Sequence, residues 1–183
     1  MNFLFTLLLI SALFLICAVL AFFIKNIIYA FPIFWGAPFV VCPEVARRKM
    51  LELLDLKPGQ VFYDLGSGNG EVLIEAFKKY RVRAIGIEIN PLLAWLSRRK
   101  IKRMEFQDKI KIVRANFFNM NFSEADAIFL YLLPGTLLKL EDKFLSGLKP
   151  GAKIVSLSFS FSKIRPVLSV DQDNNYKIRL YRI

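Results

Sequence analysis

A glycine-rich turn at residues 64–70 carries the residues best suited to chemistry. It reads D-L-G-S-G-N-G and directly follows residues 61–63, a short apolar run that predicts a buried strand. Glycine gives the backbone conformational freedom and has no Cβ, so a ligand can lie against the main chain there. A helical pattern follows, and the free N–H groups at the start of a helix favour an electronegative ligand group. The turn therefore predicts a ligand site between a strand and a helix.

The spacing of the glycines narrows the class of ligand. The dinucleotide fingerprint is G-x-G-x-x-G, whereas this turn is G-x-G-x-G with Asp64 two residues before its first glycine. The Gly-Lys-Ser/Thr ending of a P-loop is absent. A second apolar run, 84–87, ends in Glu88, and an acid at the tip of the second strand commonly holds ribose hydroxyls. The plainer alternative makes Asp64 a loop cap and Glu88 a surface acid in an unrelated α/β protein.

The residue types that are missing exclude several kinds of site. Histidine is absent from the sequence, and its two cysteines are Cys17 and Cys42. This composition excludes a Ser-His-Asp or Cys-His centre and any His-ligated metal. Two cysteines also supply neither a disulfide framework nor a zinc site, so we expect no metal. The chemistry must depend on carboxylates, amides, tyrosines or the positioning of the reactants.

Strands and helices alternate along the chain after residue 43. The pattern predicts a helix over 44–56 and strands over 61–63, 84–88, 110–113, 127–132, 153–161, 166–170 and 176–181. This alternation predicts an α/β fold with a doubly wound, mostly parallel, Rossmann-like sheet of seven strands. The last two strands form a hairpin-like pair with no room for a long helix, which predicts an antiparallel last strand. Asp64, Glu88 and Asn116 then lie at or just past strand ends, where such sheets bind ligands.

The helix after the second strand has the clearest local signals. Asn90 suits the N-cap and Pro91 the first helical position, and the pattern runs to about residue 106. Its expected inward-facing residues are Leu92, Leu93, Trp95, Leu96, Ile101 and Met104.

The N-terminal segment predicts a membrane anchor. Phe3 to Ile24 is an uncharged apolar run of 22 residues, long enough to span a bilayer as a helix. A cleaved signal peptide is the alternative, because residues 18–21 resemble a cleavage site, but no basic residue precedes the run. Lys25 and the basic cluster 47–49 follow it, which predicts a single-pass protein whose C-terminal domain faces the cytoplasm, or a mitochondrial inner-membrane protein in a eukaryote.

Three segments follow from this division. We predict an anchor at 1–25, an aromatic segment at the membrane interface at 26–43, and a catalytic domain at 44–183. The net charge of +11 lies wholly after the anchor run. Its basic clusters have three interpretations: solvated helix faces, contact with anionic membrane lipid, or attraction of nucleic acid. If the chain is anchored in a membrane, contact with lipid requires the fewest further assumptions, and nucleic acid is the least favoured partner.

The turn followed by Glu88 resembles the class I S-adenosylmethionine-dependent methyltransferases. The resemblance implies S-adenosylmethionine as cofactor, with Asp64 at the amino end of its methionine part or fixing the loop, and Glu88 on the ribose hydroxyls. Asn116 stands where these enzymes often carry an aspartate for the adenine amino group, and an amide oxygen can also accept that hydrogen bond. Phe117 would cover the adenine ring, with core packing as an equal explanation. The expected cofactor-binding residues are Asp64, Gly66, Ser67, Gly68, Gly70, Glu88, Asn116 and Phe117.

The loop after the fourth strand is the expected acceptor side. Amine methyltransferases often place an acceptor-facing loop there, so the resemblance implies catalytic roles for Tyr131 and Pro134. An ordinary strand-to-helix turn explains the Leu-Pro-Gly sequence equally well. Methyl transfer from a sulfonium needs little acid–base chemistry beyond a deprotonated amine, because alignment supplies much of the acceleration.

A smaller family matches more of the chain. The apolar run, segment 36–40 (Gly-Ala-Pro-Phe-Val), the glycine turn and segment 88–98 look like the membrane-anchored lysine methyltransferases whose mitochondrial members modify the adenine nucleotide translocase and the c-ring protein of ATP synthase. The resemblance implies a lysine of a membrane protein as substrate and Phe39 near the pocket mouth, unless Phe39 packs at the membrane interface. Residues 41–43, the missing acid at Asn116 and the region after Phe161 depart from the family pattern.

Three functions therefore stay open. The first is methylation of a lysine side chain of a membrane protein. The second is methylation of a lipid or small amine, and the third is a non-catalytic cofactor-binding adaptor. RNA methylation would require strong, salt-dependent RNA binding.

Overall fold

The computed structural model describes residues 3–30, 40–172 and 176–183 and divides the chain into two compact units, Met1–Phe39 and Val40–Ile183. The first unit contains helix α1, Phe3–Ala30. Its stretch Phe5–Asn26 has a mean hydropathy of 3.1 and none of it is buried. Among the described residues, this is the one helix long and apolar enough to cross a bilayer. Part of the predicted aromatic segment, residues 31–39, lies outside the described residues.

The second unit is an α/β fold around one seven-stranded sheet. Its helices are α2 Glu44–Leu53, α3 Glu71–Tyr80, α4 Pro91–Arg103 and α5 Pro134–Gly147, with a 3₁₀ turn at Phe117–Asn119. Its strands are β1 Val61–Leu65, β2 Arg83–Glu88, β3 Ile110–Arg114, β4 Ala127–Leu130, β5 Lys153–Leu157, β6 Leu168–Gln172 and β7 Tyr176–Arg182. The strand order is β3-β2-β1-β4-β5-β7-β6.

The sheet is parallel from β3 to β5 and antiparallel at β7 and β6. Parallel neighbours need a long crossover connection, which helices provide in this fold. Strand β7 runs antiparallel to β6 because only a short turn separates the two strands. The predicted fold class, a doubly wound and mostly parallel sheet with an antiparallel last strand, is confirmed.

The core fills both faces of the sheet because side chains alternate along each strand. On β1, Phe62 packs with apolar residues of α2, α3 and α4, whereas Tyr63 packs on the opposite face with those of α5. The central strand β4 is buried on both faces throughout Ala127–Leu130. An apolar run without alternation is typical of such a strand, and the run predicted at 127–132 has this character.

Several predicted element ends are wrong by a few residues. Strand β4 ends at Leu130 instead of 132, strand β5 ends at Leu157 instead of 161, and α2 ends at Leu53 instead of 56. Apolar residues continue past each end because Leu132, Phe161 and Leu56 are buried by packing outside the regular element. Hydrophobicity alone does not mark where backbone pairing stops.

The predicted inner face of α4 is partly wrong. Leu93 and Ile101 are buried, but Trp95 is 49% exposed, Leu96 is 43% exposed and Met104 is also exposed. The buried face instead takes Ala94 and Ser97. The small side chain of Ser97 lets the helix lie close to Gly70 of the glycine turn, where a bulky side chain would not fit. The helix also ends at Arg103, three residues before the predicted end.

Arg98, on the flank of α4, covers part of the sheet edge. Its Nε and Nη2 atoms donate hydrogen bonds of 3.1 and 3.0 Å to the carbonyl oxygen of Ile112 on β3. Strand β3 is the outermost strand on this side of the sheet.

A buried carboxylate on α5 holds the segment that joins β5 to β6. Glu141 is 1% exposed and accepts hydrogen bonds from the Ser162 hydroxyl at 2.6 Å and from the backbone N–H groups of Ser162, Lys163 and Ile164. Burial alone would raise the pKa of Glu141, but these hydrogen bonds outweigh it and lower the pKa. We call this arrangement the Glu141 clasp.

We expect Glu141→Gln to lower the free energy of unfolding of the detergent-solubilised full-length protein by about 2–3 kcal/mol at pH 7. Hydrogen bonds to a charged acceptor are strong, and the substitution leaves a buried donor unpaired. A lowered carboxyl pKa stabilises the fold above the unfolded-state pKa, about 4.3, and this stabilisation is lost as the pH falls through the folded pKa. The difference between the proteins should therefore shrink below about pH 4 in urea titrations. Asp142→Asn, at the exposed neighbouring position, is the matched control and should cost less than about 1 kcal/mol.

Candidate active site

The ends of three parallel strands lie at one level of the sheet. Leu65 pairs with Ile87 on β2 and with Leu130 on β4, so the next residues along each strand, Gly66, Glu88 and Tyr131, are neighbours. Ligands of open α/β sheets bind in this place, beyond the carboxyl ends of the strands. The register therefore brings together predicted residues that are up to 65 positions apart in sequence.

The glycine turn has a backbone that requires glycine. Gly66 and Gly70 have φ angles of +81° and +75°, in the left-handed region that side chains with a Cβ disfavour. A Cβ on Gly70 would lie 2.2 Å from the Oγ atom of Ser97 on α4. A Cβ on Gly66 would lie 3.3 Å from Leu132, so the loop after β4 closes over the turn. The turn is thus a cradle that substitution would fill.

Glu88 ties the glycine turn to the start of α4. One of its oxygens accepts the Gly68 N–H and the other accepts the Asn90 N–H, each at 2.8 Å. Its side chain is buried. Burial raises the pKa of Glu88, and the N–H groups of Asn90, Gly68 and Ile89 partly offset that effect. Each carboxylate oxygen has a second lone pair, so a further donor such as a ribose hydroxyl can still be accepted.

Asp64 is buried beside Glu88. It is 4% exposed, and burial together with the charge of Glu88 raises the pKa of Asp64 to about 8. Two carboxyl groups this close in an apolar setting resist ionising together, and a cation near them would relieve the repulsion. S-adenosylmethionine carries a sulfonium and an ammonium group, so the pair suits this cofactor.

Cys42 lies next to the same carboxyl and was missed by the sequence analysis. Burial, followed by the charge of Asp64, raises the pKa of the Cys42 thiol to about 12. The thiol therefore stays protonated and forms an apolar, unreactive surface beside the Asp64 carboxyl. No spacing pattern in the sequence points to a contact between these two residues.

Two serine hydroxyls are buried behind the turn. The Oγ atoms of Ser67 and Ser97 have no hydrogen-bond partner among the described residues. Ser67 lies against Gly86, where a Cβ would come within 2.6 Å of its hydroxyl. The predicted role of Ser67 in holding the cofactor remains a prediction. Ser97 provides a second hydroxyl at the cradle, and the sequence analysis missed it because Ser97 lies within an apolar helical pattern.

Asn116 and Phe117 lie just past the end of β3. The Asn116 side-chain oxygen accepts the Phe118 N–H at 3.0 Å and so caps the 3₁₀ turn. Phe117 is half-buried, with its ring centroid 4.8 Å from that of Phe118. The Ala115 N–H donates to the carbonyl of Glu88, which places both predicted adenine contacts beside the acid. Contact with adenine stays a prediction for both residues.

The expected acceptor side contains one half-buried tyrosine. Burial raises the pKa of Tyr131, and Tyr176 on β7 and Cys42 add to the shift, so these three side chains are neighbours. Pro134 is exposed and occupies the first turn of α5, the structural position that proline favours. Tyr176 was missed because it lies on the last strand, which antiparallel pairing returns to this edge. Phe39 lies outside the described residues.

The site thus offers carboxylates, backbone N–H groups and a tyrosine hydroxyl. Among the residues that the structure describes, no three His, Cys, Asp or Glu side chains are grouped so as to hold a metal ion. The cradle over Gly66 and Gly70, the buried acids Asp64 and Glu88 and the hydroxyl of Ser67 together fit a cationic nucleoside ligand.

We expect Asp64→Asn to stabilise the cofactor-free protein increasingly as the pH rises. A carboxyl whose folded pKa is raised keeps its proton in the fold, so wild-type stability falls with pH by roughly 1.4 kcal/mol per unit between about pH 5 and 7 and levels off above about 8. Asparagine has no such dependence. Urea unfolding of both proteins at pH 5, 7 and 9 measures the difference, and an equal difference at all three values would contradict the pKa assignment.

The sequence profile of the ANTKMT methyltransferase domain matches residues 64–168 of this chain. A protein-lysine N-methyltransferase of Saccharolobus islandicus is 34% identical over 150 residues, which cover 80% of this chain and 93% of that protein. The mouse adenine nucleotide translocase lysine N-methyltransferase is 29% identical over 141 residues, and the match covers 77% of this chain and 61% of the mouse protein.

A solved structure has the same architecture and supplies the cofactor. It is an RNA methyltransferase of Salinibacter ruber in complex with S-adenosyl-L-homocysteine, 33% identical, with a TM-score of 0.76 and coverage of 79% of this chain and 94% of that chain. S-adenosylhomocysteine is what remains of S-adenosylmethionine after methyl transfer, so the predicted cofactor is confirmed. This chain belongs to the ANTKMT methyltransferase domain family and is an S-adenosylmethionine-dependent methyltransferase of the protein-lysine methyltransferase group.

Proposed function

We propose that this enzyme methylates a lysine side chain of a membrane protein, and that α1 anchors it in the same membrane. The observation that carries the proposal is the strand register. It sets Gly66, Glu88 and Tyr131 side by side at the carboxyl ends of the parallel strands. The residues that we propose for cofactor binding and for accepting a hydrogen bond from the amine are thereby adjacent. The similarity to a protein-lysine methyltransferase supports lysine as the amine.

The cofactor is held by the cradle and the two buried acids. Asp64 receives the ammonium end, Glu88 receives the ribose hydroxyls, and the glycine turn leaves room for the backbone to approach. When bound, S-adenosylmethionine supplies an electrophilic methyl group on a positively charged sulfur. The buried acids contribute most by fixing the position of this group, since alignment supplies much of the rate enhancement of such a displacement.

The acceptor amine must reach the cradle without its extra proton, because an ammonium group has no lone pair. Tyr131, with a raised pKa, stays neutral at pH 7, and its hydroxyl oxygen accepts a hydrogen bond from the amine. This bond directs the nitrogen lone pair toward the methyl carbon. Tyr131 would thus hold the amine in position for the methyl group that a bound S-adenosylmethionine would supply, and the methylated nitrogen would release its extra proton to water.

Two observations support a membrane substrate. Phe5–Asn26 is an exposed apolar helix of sufficient length to cross a bilayer. The related mouse enzyme is named for a lysine of the adenine nucleotide translocase. Lys25 and the basic cluster 47–49 follow the apolar run, and by the positive-inside tendency they favour a catalytic unit on the cytoplasmic side, or on the equivalent side of a mitochondrial inner membrane.

Labelled transfer into native membranes tests the proposal. Full-length protein is incubated with methyl-tritiated S-adenosylmethionine and membranes from cells that lack it, and the products are separated into protein, lipid and RNA. We expect label in a membrane-protein band and recovery of methyl-lysine after acid hydrolysis. Label in lipid would replace the proposal by lipid or small-amine methylation. Label in RNA would favour the activity for which the Salinibacter ruber protein is named.

We expect Glu88→Gln to weaken S-adenosylmethionine binding about 10- to 100-fold, because a buried charged acceptor is replaced by a neutral one. Calorimetric titration of the full-length protein measures the dissociation constant. Glu52→Gln, on the exposed surface of α2, is the matched control and should leave it unchanged. Unchanged affinity in Glu88→Gln would remove Glu88 from the cofactor site.

We expect Tyr131→Phe to lower kcat about tenfold while the affinity for S-adenosylmethionine stays the same, because only the hydrogen bond that orients the amine is lost. Steady-state kinetics on the identified substrate measure this separation. Tyr80→Phe is the matched control: its hydroxyl is buried without a hydrogen-bond partner among the described residues, so removing it should leave kcat intact. Equal kcat in both variants would exclude Tyr131 from the acceptor site.

A further inference from the structure

Helix α4 presents an apolar and basic stripe to solvent. Leu92, Trp95, Leu96, Arg99 and Arg103 follow one another at steps of one, three or four residues and share the outward face of the helix, which we call the α4 stripe. Trp95 and Leu96 are about half exposed, and Leu92 is half-buried. The opposite, buried face consists of Leu93, Ala94, Ser97 and Ile101.

The charge of this helix is entirely positive. Between Pro91 and Arg103 there are five basic residues and no acid. Lys100 pairs with Glu71 at 3.3 Å, and Arg98 is engaged with a backbone carbonyl. Within the described part of the chain, Arg99 and Arg103 have no carboxylate partner. The Arg99 guanidinium instead lies 5.3 Å from the centroid of the Trp95 ring.

This combination matches the chemistry of an anionic bilayer surface. Tryptophan is enriched at the membrane–water interface, where its ring enters the headgroup level, and leucine side chains gain from leaving water. Guanidinium groups bind phosphates bidentately, and anionic headgroups attract each such charge. RNA would also attract arginine and stack on Trp95, but it offers nothing for the aliphatic side chains of Leu92 and Leu96.

The proposed anchor limits how far the catalytic unit can move from a bilayer. Residues 27–39 connect Asn26, the end of the apolar stretch, to Val40, the start of the second unit. A chain of this length spans at most roughly 50 Å, so an inserted α1 holds the catalytic unit at high local concentration beside the lipid.

We propose that the α4 stripe docks the catalytic unit onto anionic phospholipid headgroups. This inference rests on the proposed anchoring of the enzyme by α1. The docked unit buries Trp95 and Leu96 at the headgroup level and sets Arg99 and Arg103 on lipid phosphates. A membrane rich in anionic lipid is then a second determinant of where the enzyme works, beyond insertion of the anchor.

Quenching of Trp95 fluorescence by brominated lipid tests the docking. Trp35 and Trp95 are the two tryptophans, so full-length Trp35→Phe protein reports on Trp95 alone. The protein is placed in nanodiscs of brominated phosphatidylcholine, with and without one third phosphatidylserine. We expect strong quenching in the anionic discs, weak quenching in the neutral ones, and loss of quenching as salt is raised.

Arg99→Gln/Arg103→Gln should lower the ratio of docked to undocked protein about 25-fold, since each arginine near an anionic surface contributes a factor of about five. Lys111→Gln/Lys139→Gln is the matched control. It removes the same charge from exposed positions on β3 and α5, and it should leave quenching unchanged. Equal quenching in neutral and anionic discs, or equal loss in the two double variants, would overturn the proposal.

RNA is the competing partner, and the same reporter decides. RNA added to the protein in neutral discs should leave the Trp95 emission unchanged, whereas a salt-sensitive change in emission would overturn the lipid assignment. Methyl transfer in detergent separates this inference from the proposed function, because it needs no bilayer. Lysine methylation with an unquenched Trp95 overturns the docking alone. Quenching without lysine methylation overturns the proposed substrate and supports the docking.

Discussion

The Glu88 carboxylate is the interaction on which the active-site end of the fold depends. Its two oxygens accept one backbone N–H from the glycine turn and one from the residue that caps α4. A single side chain at the tip of β2 therefore fixes the loop after β1 and the entry to the next helix. Burial, together with the charge of the same residue, raises the pKa of Asp64, so Glu88 affects both the geometry and the electrostatics of the cradle.

The sheet register extends this arrangement to the acceptor side. Parallel pairing of β1 with both β2 and β4 leaves three strand ends at one level, and antiparallel β7 returns Tyr176 to that level from the far end of the chain. The Glu141 clasp holds the segment after β5, which lies at the same edge. The residues proposed for cofactor binding and for the acceptor side thus lie on loops whose positions the sheet dictates.

Much of this could be predicted from the sequence because the responsible signals are local. The glycine spacing, the acid at the end of β2 and the Asn90-Pro91 helix start each have a mechanism that acts within a few residues, and their order along the chain implies the fold. The neighbours Cys42 and Tyr176 could not be predicted, because their contacts depend on long-range packing and on the return of β7.

The orientation of α4 shows where periodicity is insufficient. Apolar residues at 92, 93, 95 and 96 surround this helix, so hydrophobicity does not choose between its faces. The deciding factor is steric: Gly70 of the turn approaches so closely that the small Ser97 faces inward together with Ala94, and Trp95 lies at the surface. The role of Asn116 also does not follow from the sequence alone, because its short amide side chain can cap a turn or contact a ligand.

The contact of Arg98 with the carbonyl of Ile112 affects how readily the protein can aggregate through its sheet edge. An outermost strand offers unpaired backbone groups to which a second chain can add its own strand, the first step toward intermolecular β-sheet. A guanidinium that occupies one carbonyl by two hydrogen bonds, with charged residues at Lys111 and Arg114 on the same strand, makes such an addition unfavourable. A guarded edge therefore disfavours self-association through β3, and this protection matters most where copies of the protein are concentrated.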